Sequence, residues 1–192
     1  TEADNTSAAM YVNSIGDGSS LDIRNNIFVN KTDITTGTLA TGIHFMLEAD
    51  MDRLTAESGH NIYFAGAPDA QHTIAYVNET STGFQTLADY TAEAMNYTED
   101  VPFSDDALHL VDTVQTKAES GGMAIDMVAL DIDGDARSAN PDIGADEGDF
   151  IVAEMAPIAQ NVQVTGRMEV SFMLEASYEY FDRNEDAEGE SL

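Results

Sequence analysis

Carboxylate side chains at alternating positions are the residues of this sequence most suited to chemistry. In the stretch "DIDGDARSANPDIGADEG", Asp131, Asp133 and Asp135 are spaced like the first three ligands of a calcium loop. Calcium takes about six to eight oxygen ligands, and carboxylates two residues apart on a looped backbone can converge on one ion. Asp142 occupies the twelfth position, at which an EF-hand loop has a bidentate glutamate. The spacing therefore predicts a Ca²⁺ site formed by these four aspartates.

The same stretch can also serve as the turn that closes a fold. In an extended strand, the alternation places its first three acids on one solvated face. Arg137 is the one basic residue among six acids, and it can pair with a carboxylate of the turn. A solvated or Arg137-paired capping turn is therefore the alternative to the calcium loop.

A second run of alternating oxygen donors lies at the end of the chain. Its members are Asp182, Asn184, Asp186 and Glu188. Hard oxygen donors at this spacing suit a calcium site of the kind that joins tandem modules. The alternative is a solvated acidic tail, because like charges packed this closely repel each other.

Motifs for catalysis are missing from the sequence. It contains no G-x-S-x-G elbow, phosphate loop or dinucleotide fingerprint. Glycoside hydrolysis needs two carboxylates about 5–10 Å apart, which sequence spacing does not reveal. Basic residues that could serve a lyase, Arg24, Arg53 and Lys117, lie in no recognisable motif. We therefore expect no catalytic residue and no enzyme. A polysaccharide lyase or glycoside hydrolase is the alternative.

The charge of the chain limits its partners. Its 36 acidic residues outnumber 7 Lys and Arg, which gives a formal net charge of −29. Nucleic acid is excluded as a partner because phosphate binding depends on Lys and Arg. Saline, calcium-containing surroundings would screen the self-repulsion, and the sequence lacks an apolar run long enough to cross a membrane. We therefore expect an extracellular or cell-surface protein without membrane insertion.

Cysteine is absent, so disulfides, thiol chemistry and thiolate metal sites are excluded. The four histidines are scattered without a pair at i, i+4, and each is expected to be a polar loop or strand residue: His44, His60, His72 and His109. The sequence starts at Thr1 without a basic, apolar leader, so we expect a fragment or a processed product whose signal peptide was removed or lies upstream.

Period-two alternation marks the elements that must position these groups. In "SLDIRNNIFVN" apolar residues alternate before and after an Asn pair, and "GHNIYFAG" repeats the pattern. Asn26 and Asn61 then mark equivalent bends, since Asn tolerates the left-handed conformation. Strands bent in this way and stacked in coils form a parallel β-helix, in which neighbouring coils bury one apolar column. The residues expected to point inward are Leu21, Ile23, Ile27, Val29, Ile62 and Phe64.

The sequence changes character near residue 151. Residues 1–150 are predicted to be the C-terminal coils and closing loop of a right-handed parallel β-helix. "FIVAEMAPIAQ" carries Pro157, and residues 151–158 are predicted to be a linker. Residues 159–192 alternate again and are predicted to begin a second β module, a partial β-sandwich. The predicted fold class is all-β, with a β-sandwich as the alternative to the β-helix. A piece of about 35 residues is too small to be stable alone, so we expect it to continue or to pack on another subunit.

Several stretches together resemble a known family. "LDIRNNIFVN", "NIYFAG", "ALHLVD", "AESGG" and "DIDGDARSANPDIGADE" resemble the C-terminal coils of secreted bacterial right-handed parallel β-helix proteins with pectate-lyase-like repeats. The resemblance covers roughly residues 10–150. The tail that begins "PIAQNVQVTG" resembles the first strands of an immunoglobulin-like or cadherin-like module, although Glu185 stands where that pattern usually has Gly.

The resemblance implies an architecture more than a chemistry. Proteins of this kind are large surface proteins, especially of marine bacteria, in which the β-helix is a rigid spacer or a carbohydrate-facing rod. The chain is therefore expected to be a non-catalytic structural or adhesive segment of a bacterial cell-surface or secreted protein, as a filament or stalk component. Its expected partners are neighbouring copies or adjacent modules of the same large protein, and glycans.

Overall fold

The computed structural model describes residues 6–34, 38–90, 95–154, 157–166 and 174–182. The chain divides into two compact units, Thr1–Ile151 and Val152–Leu192. The first unit is a parallel β-solenoid of about four turns, and the chain is nearly all β. The predicted fold class is thereby confirmed for the β-helix part.

Strands account for most of the regular structure. In chain order the elements are β1 (Thr6–Val12), β2 (Ile27–Val29), β3 (Leu39–Phe45), α1 (Glu48–Met51), β4 (Ile62–Phe64), β5 (His72–Val77), β6 (Thr82–Phe84), α2 (Leu87–Tyr90), β7 (Tyr97–Thr98), β8 (Gln115–Thr116), β9 (Ile151–Val152), β10 (Ile158–Gly166) and β11 (Leu174–Phe181). Each helix is a single four-residue turn.

Two parallel ladders form the walls of the solenoid. The first wall has the order β1-β3-β5, all parallel, and β6 adds to β5 as an antiparallel strand. The second wall has the parallel order β2-β4-β7. Strands β8 and β9 form a further two-stranded sheet. From β1 to β5, consecutive strands along the chain alternate between the walls, which is the winding of a solenoid.

A ladder of asparagine side chains links successive coils along the second wall. The backbone N–H of Asn26 donates to Oδ1 of Asn61 (2.9 Å), and the N–H of Asn61 donates to Oδ1 of Asn96 (3.0 Å). These residues are 35 positions apart. Asn26 and Asn61 occupy equivalent positions, as predicted, because the residues that follow them, Ile27 and Ile62, pair in register.

The residue before each ladder asparagine makes the bend. Asn25, His60 and Met95 have φ angles of 57°, 55° and 72°. Left-handed backbone is uncommon outside glycine, and its recurrence at three stacked positions shows that the geometry of the coil requires it. The bend therefore lies one residue earlier than the asparagine side chains that bond across the coils.

The apolar side chains form two clusters instead of one column. The first lies between the walls and includes Ile23, Phe28, Ile43, Phe45 and Tyr63, with Leu21 packed against it. The second contains Ile62, Val101, Leu110, Ala118 and Ile143, with Ile27 and Val29 packed against it. Phe28 and Tyr63 stack in the first cluster with ring centroids 5.4 Å apart.

The prediction that the alternating apolar side chains point between the walls thus needs correction for part of the second wall. Leu21 and Ile23 do contribute to the cluster between the walls. Ile27, Val29 and Ile62 pack instead on the second cluster, and Phe64 lines a surface pocket. The reason is that residues 101–150 pack on this wall, so that β2 and β4 carry apolar contacts on both faces and alternation alone does not tell the faces apart.

The second unit contains one antiparallel pair in its described part. Strands β10 and β11 pair from Ile158 with Phe181 to Gly166 with Leu174, with an irregularity between Gln160 and Gln163. Every side chain described in this unit is exposed or half-buried. The immunoglobulin-like or cadherin-like module stays a prediction. Within the described ranges, no helix is long and apolar enough to span a membrane.

Candidate functional site

Residues 101–150, called here the closing segment, contain most of the predicted site. Regular structure in it is sparse: beyond β8, the bridges that its residues make are Phe103 with Leu110 and Leu130 with Ala136. Carboxylate side chains accept many of its backbone N–H bonds instead. Buried backbone donors must find acceptors, so these acids have a structural role wherever such a bond is made.

Asp131 organises the first part of the predicted calcium loop. Its Oδ1 accepts hydrogen bonds from the backbone N–H of Asp133 (2.9 Å) and Asp135 (2.8 Å), and its Oδ2 accepts one from Glu147 (3.2 Å). Burial acts to raise the pKa of Asp131, but hydrogen bonds from Asp135, Asp133 and Glu147 outweigh it and hold the pKa below its usual value. Asp131 is therefore an ionised acceptor of backbone hydrogen bonds.

Asp142 lies elsewhere, in the interior of the segment. It is 1% exposed, its Oδ1 accepts the N–H of Ser120 (2.6 Å), and its Oδ2 accepts the N–H of Gly148 (3.0 Å). Burial raises its pKa to about 7 against the effect of these hydrogen bonds, and the negative charges of Glu119 and Glu147 add to the rise. A strongly shifted pKa often marks a functional group, but at this exposure no substrate reaches either oxygen.

Arg137 holds the turn between these acids. Its guanidinium donates to the carbonyl oxygens of Asp142 (3.1 Å) and Gly144 (2.7 Å) and pairs with Glu147 at 3.3 Å. Glu147 in turn accepts the N–H of Asp142 (2.9 Å) and of Ser138 (2.8 Å). These contacts are those of the Arg137-paired capping turn that the sequence offered as an alternative.

The four predicted calcium ligands of this turn are not gathered into one group. One group of His and Asp residues among those described has its ligand atoms within 4.8 Å of one another. Its members are His109, Asp133 and Asp146. Asp133 belongs to it, whereas Asp135 is exposed and Asp142 is buried beside Ser120. Calcium binding at the predicted residues stays a prediction.

The second predicted run falls mostly outside the described residues. Asn184, Asp186 and Glu188 lie there. Asp182 is described: it is half-buried, and its Oδ2 accepts a hydrogen bond from the hydroxyl of Tyr180 at 3.2 Å.

His109 is the residue that sequence reasoning missed. Its Nδ1 lies 2.6 Å from Oδ2 of Asp105, and its Nε2 lies 3.1 Å from Oδ2 of Asp133. The hydrogen bond to Asp105 is the main cause that raises the pKa of His109, against the effect of desolvation. The one sequence signal was the i, i+4 spacing of Asp105 and His109, since Asp133 and Asp146 are distant in sequence.

Asp146 is the third member of this group. It is 7% exposed, and its Oδ2 accepts the N–H of Leu110 at 2.7 Å. Asp146 reaches Leu110 because the closing segment folds back on itself, with the buried Ile143 packed among Val101, Leu110 and Ala118.

The basic residues considered for a lyase are engaged in structural contacts. Arg24 pairs with Asp22, Arg53 pairs with Asp17, and Nζ of Lys117 donates to the carbonyl of Thr98. A surface pocket of about 360 Å³ lies beside Arg24 and Arg137, and Asp126 is the one acid that lines it. A glycosidase needs two carboxylates facing its substrate, and this pocket provides one.

Comparison with known proteins adds no family. Neither protein-family models, nor curated proteins, nor solved structures give a match to the chain.

Proposed function

We propose that the chain is a non-catalytic, extracellular structural or adhesive segment of a large bacterial cell-surface or secreted protein, in which it forms part of a fibre or stalk. The observation that supports this most is how the closing segment uses its acids. Asp131, Asp142 and Glu147 accept backbone hydrogen bonds and hold the turn. Groups committed to the fold in this way support a rigid spacer better than a reaction centre.

Charge and composition support the extracellular setting. A net charge of −29 is tolerated best where salt or divalent cations screen it, as in a marine environment. A cysteine-free extracellular protein must rely on packing and backbone ladders for its stability, and the stacked coils provide both. Calcium at the predicted acidic residues belongs to this proposal, as does the likeness to pectate-lyase-like coils followed by an immunoglobulin-like or cadherin-like module.

Exposed apolar side chains of the second unit favour a protein partner. Val162 and Val164 on β10 are 61% and 64% exposed. A lone strand pair is marginal in water, and an unpaired strand edge invites further strands. We therefore assign its partners to an adjacent module or a neighbouring copy, with glycans as ligands of the assembled surface.

A polysaccharide lyase or glycoside hydrolase is the competing function. The observation that favours it is the carboxyl group of Asp142, whose pKa of about 7 suits a general acid. Its complete burial argues against that role. The charge also disfavours acidic polysaccharides, because an anionic polymer is repelled unless cations bridge it.

Two measurements test the proposal. Imaging of the native assembly should place the chain in a fibre, stalk or surface layer. The isolated chain, incubated with neutral and acidic polysaccharides, should release no product. Release of product that the variant Asp126→Asn abolishes would overturn the proposal in favour of an enzyme. Asp126 is the one acid that lines the pocket beside Arg24 and Arg137.

The calcium part of the proposal has its own test. Titration of chelator-treated protein with Ca²⁺ should raise the melting temperature, because an ion that binds only the folded state stabilises it. The variant Asp135→Asn, at an exposed position, should reduce the rise. An unchanged melting temperature in about millimolar Ca²⁺, enough for weak extracellular sites, would remove calcium from the account.

A further inference from the structure

We propose that His109, Asp133 and Asp146 form a binding site for a transition-metal ion of the zinc type. One ligand atom from each residue lies within 4.8 Å of the other two. The site shares Asp133 with the calcium prediction, but it includes an imidazole and excludes Asp131, Asp135 and Asp142. It does not depend on the structural or adhesive role proposed above.

Negative charge at this place is not balanced by the protein. Asp146 is 7% exposed, and among the described residues it takes part in no ion pair. Asp105 and Asp133 both contact His109, so three carboxylates share one imidazole. Even a protonated His109 leaves an excess of negative charge, and a buried carboxylate without a cation is costly. A bound divalent cation would balance it.

The distances suit a small tetrahedral ion. Nε2 of His109 and Oδ2 of Asp133 are 3.1 Å apart. Zinc binds nitrogen and oxygen at about 2.0–2.1 Å, and tetrahedral angles then place neighbouring ligand atoms about 3.3 Å apart. The two ligands are therefore close to the required separation. Asp146 places a carboxylate oxygen within 4.8 Å of both of these ligand atoms.

Asp105 prepares His109 for this role. Its Oδ2 lies 2.6 Å from Nδ1 of His109, and it therefore fixes the tautomer that carries its proton on Nδ1. Nε2, which lies 3.1 Å from Oδ2 of Asp133, is then the nitrogen that would release its proton to solvent and bind the ion. A carboxylate behind a metal-bound histidine is the usual second partner of such ligands, and it raises their basicity.

The donor set decides the class of ion. Calcium and magnesium prefer oxygen ligands alone, whereas zinc accepts imidazole nitrogen together with carboxylate oxygen. Three protein ligands leave a fourth position for water. Asp146 also lines a surface pocket of about 390 Å³ with Leu108 and Leu110, which gives the ion and its water access to solvent.

The test uses the full chain after chelator treatment, titrated with Zn²⁺ in physiological salt and excess Mg²⁺ to suppress weak binding at surface acids. One Zn²⁺ per chain should bind. Asp133→Asn and His109→Gln, both at residues accessible to solvent, should abolish this binding. Asp105→Asn should weaken it about 10–100-fold, as expected for the loss of a carboxylate behind a ligand. His72→Gln is the matched control, because Asp69 pairs with Nδ1 of His72 in the same way outside the site.

Co²⁺ gives a second readout that does not depend on stability, because tetrahedral coordination produces an intense visible absorption band. The band should appear in the unsubstituted chain and in His72→Gln, and it should be lost in Asp133→Asn. Several weak ions per chain, binding that survives Asp133→Asn, or displacement of Zn²⁺ by an equal concentration of Ca²⁺ would each overturn the proposal. Circular dichroism of the metal-free variants establishes that they are folded.

Discussion

The coils at residues 6–98 and the closing segment satisfy their backbones in different ways. The coils rely on repetition: each strand pairs with the next at a fixed register, and a left-handed residue precedes each ladder asparagine. In the closing segment, carboxylates replace neighbouring strands as acceptors, for example Asp142 for Ser120 and Asp146 for Leu110. The last coil has no further coil to supply carbonyl groups, so side-chain carboxyl oxygens accept these backbone hydrogen bonds instead.

The difference is one of degree, since the described part of the coils also contains a buried aspartate that accepts a backbone hydrogen bond. Asp50, which is 1% exposed, accepts the N–H of Ile15 at 2.8 Å. What distinguishes the closing segment is that such bonds link its own loops to one another. Acidic residues of this chain therefore stabilise the closing segment of the solenoid, in addition to giving the surface its negative charge.

The largest effects should come from the two apolar clusters. Ile43 in the coils and Ile143 in the closing segment are each fully buried. Replacement of either by Ala should lower the free energy of unfolding by about 2–5 kcal/mol, through lost transfer energy and a cavity. Urea unfolding followed by circular dichroism measures both. Met127, 94% exposed, is the control, and Met127→Ala should change stability by less than about 0.5 kcal/mol.

Equal losses would show that the closing segment unfolds together with the coils. A cost for Ile143→Ala well below about 1 kcal/mol, with the full cost for Ile43→Ala, would show that the segment is not part of the cooperative core.

A somewhat smaller loss is expected at the asparagine ladder. Asn61→Ala removes the acceptor of the Asn26 N–H and the donor to the carbonyl of Ile23. One buried and one half-buried backbone group without partners should together cost about 2–4 kcal/mol. The exposed Asn13 provides the control, and the same substitution there should be close to neutral. Nearly equal stabilities of the two variants would show that the ladder contributes nothing beyond the strands.

Two glycines allow the stability cost of backbone strain to be measured apart from the cost of a steric clash. Gly18 and Gly144 both have positive φ, at 75° and 111°. A Cβ at Gly18 meets nothing within 4 Å, whereas at Gly144 it lies 2.7 Å from Cδ1 of Ile27. Gly144→Ala should therefore cost about 1–3 kcal/mol for strain, and in addition the cost of the clash, while Gly18→Ala shows the strain alone. The same loss for both would mean that the turn at Gly144 does not press on β2.

A further effect concerns pH and is spread over several pH units. Because the pKa of Asp142 is raised to about 7, the folded chain binds this proton more tightly than the unfolded chain, whose pKa is near the usual 3.8. Stability from this group is therefore greatest at acidic pH and falls as the pH rises from about 4 to about 7, by at most about 1.4 kcal/mol per pH unit. Urea unfolding of metal-free protein at several pH values should show a steeper fall than Asp142→Asn. Parallel slopes would contradict the raised pKa.

Local repetition made the coils predictable. Alternation around the Asn pairs was enough for parallel strands and for the equivalence of Asn26 and Asn61, because each coil repeats the same bend. The direction of Ile27 and Ile62 was not predictable in the same way. It depends on Val101, Leu110 and Ile143, which come from distant positions and cover the outer face of the second wall.

The candidate site was likewise predictable only where its residues are close in sequence. The spacing of Asp131, Asp133 and Asp135 identified the acidic turn but not the partners of each acid. His109 reaches Asp133 across 24 residues, and Leu110 reaches Asp146 across 36. No local pattern contains such separations, since they arise from the path of the closing segment.

Amide hydrogen exchange tests most directly whether carboxylates replace strand partners in the closing segment. The N–H groups of Ser120 and Leu110, which bond to Asp142 and Asp146, should be protected to a degree similar to that of Ile62, whose N–H bonds to the carbonyl of Asn26. Exchange of Ser120 and Leu110 at the rate of an exposed loop, with Ile62 still protected, would contradict the account.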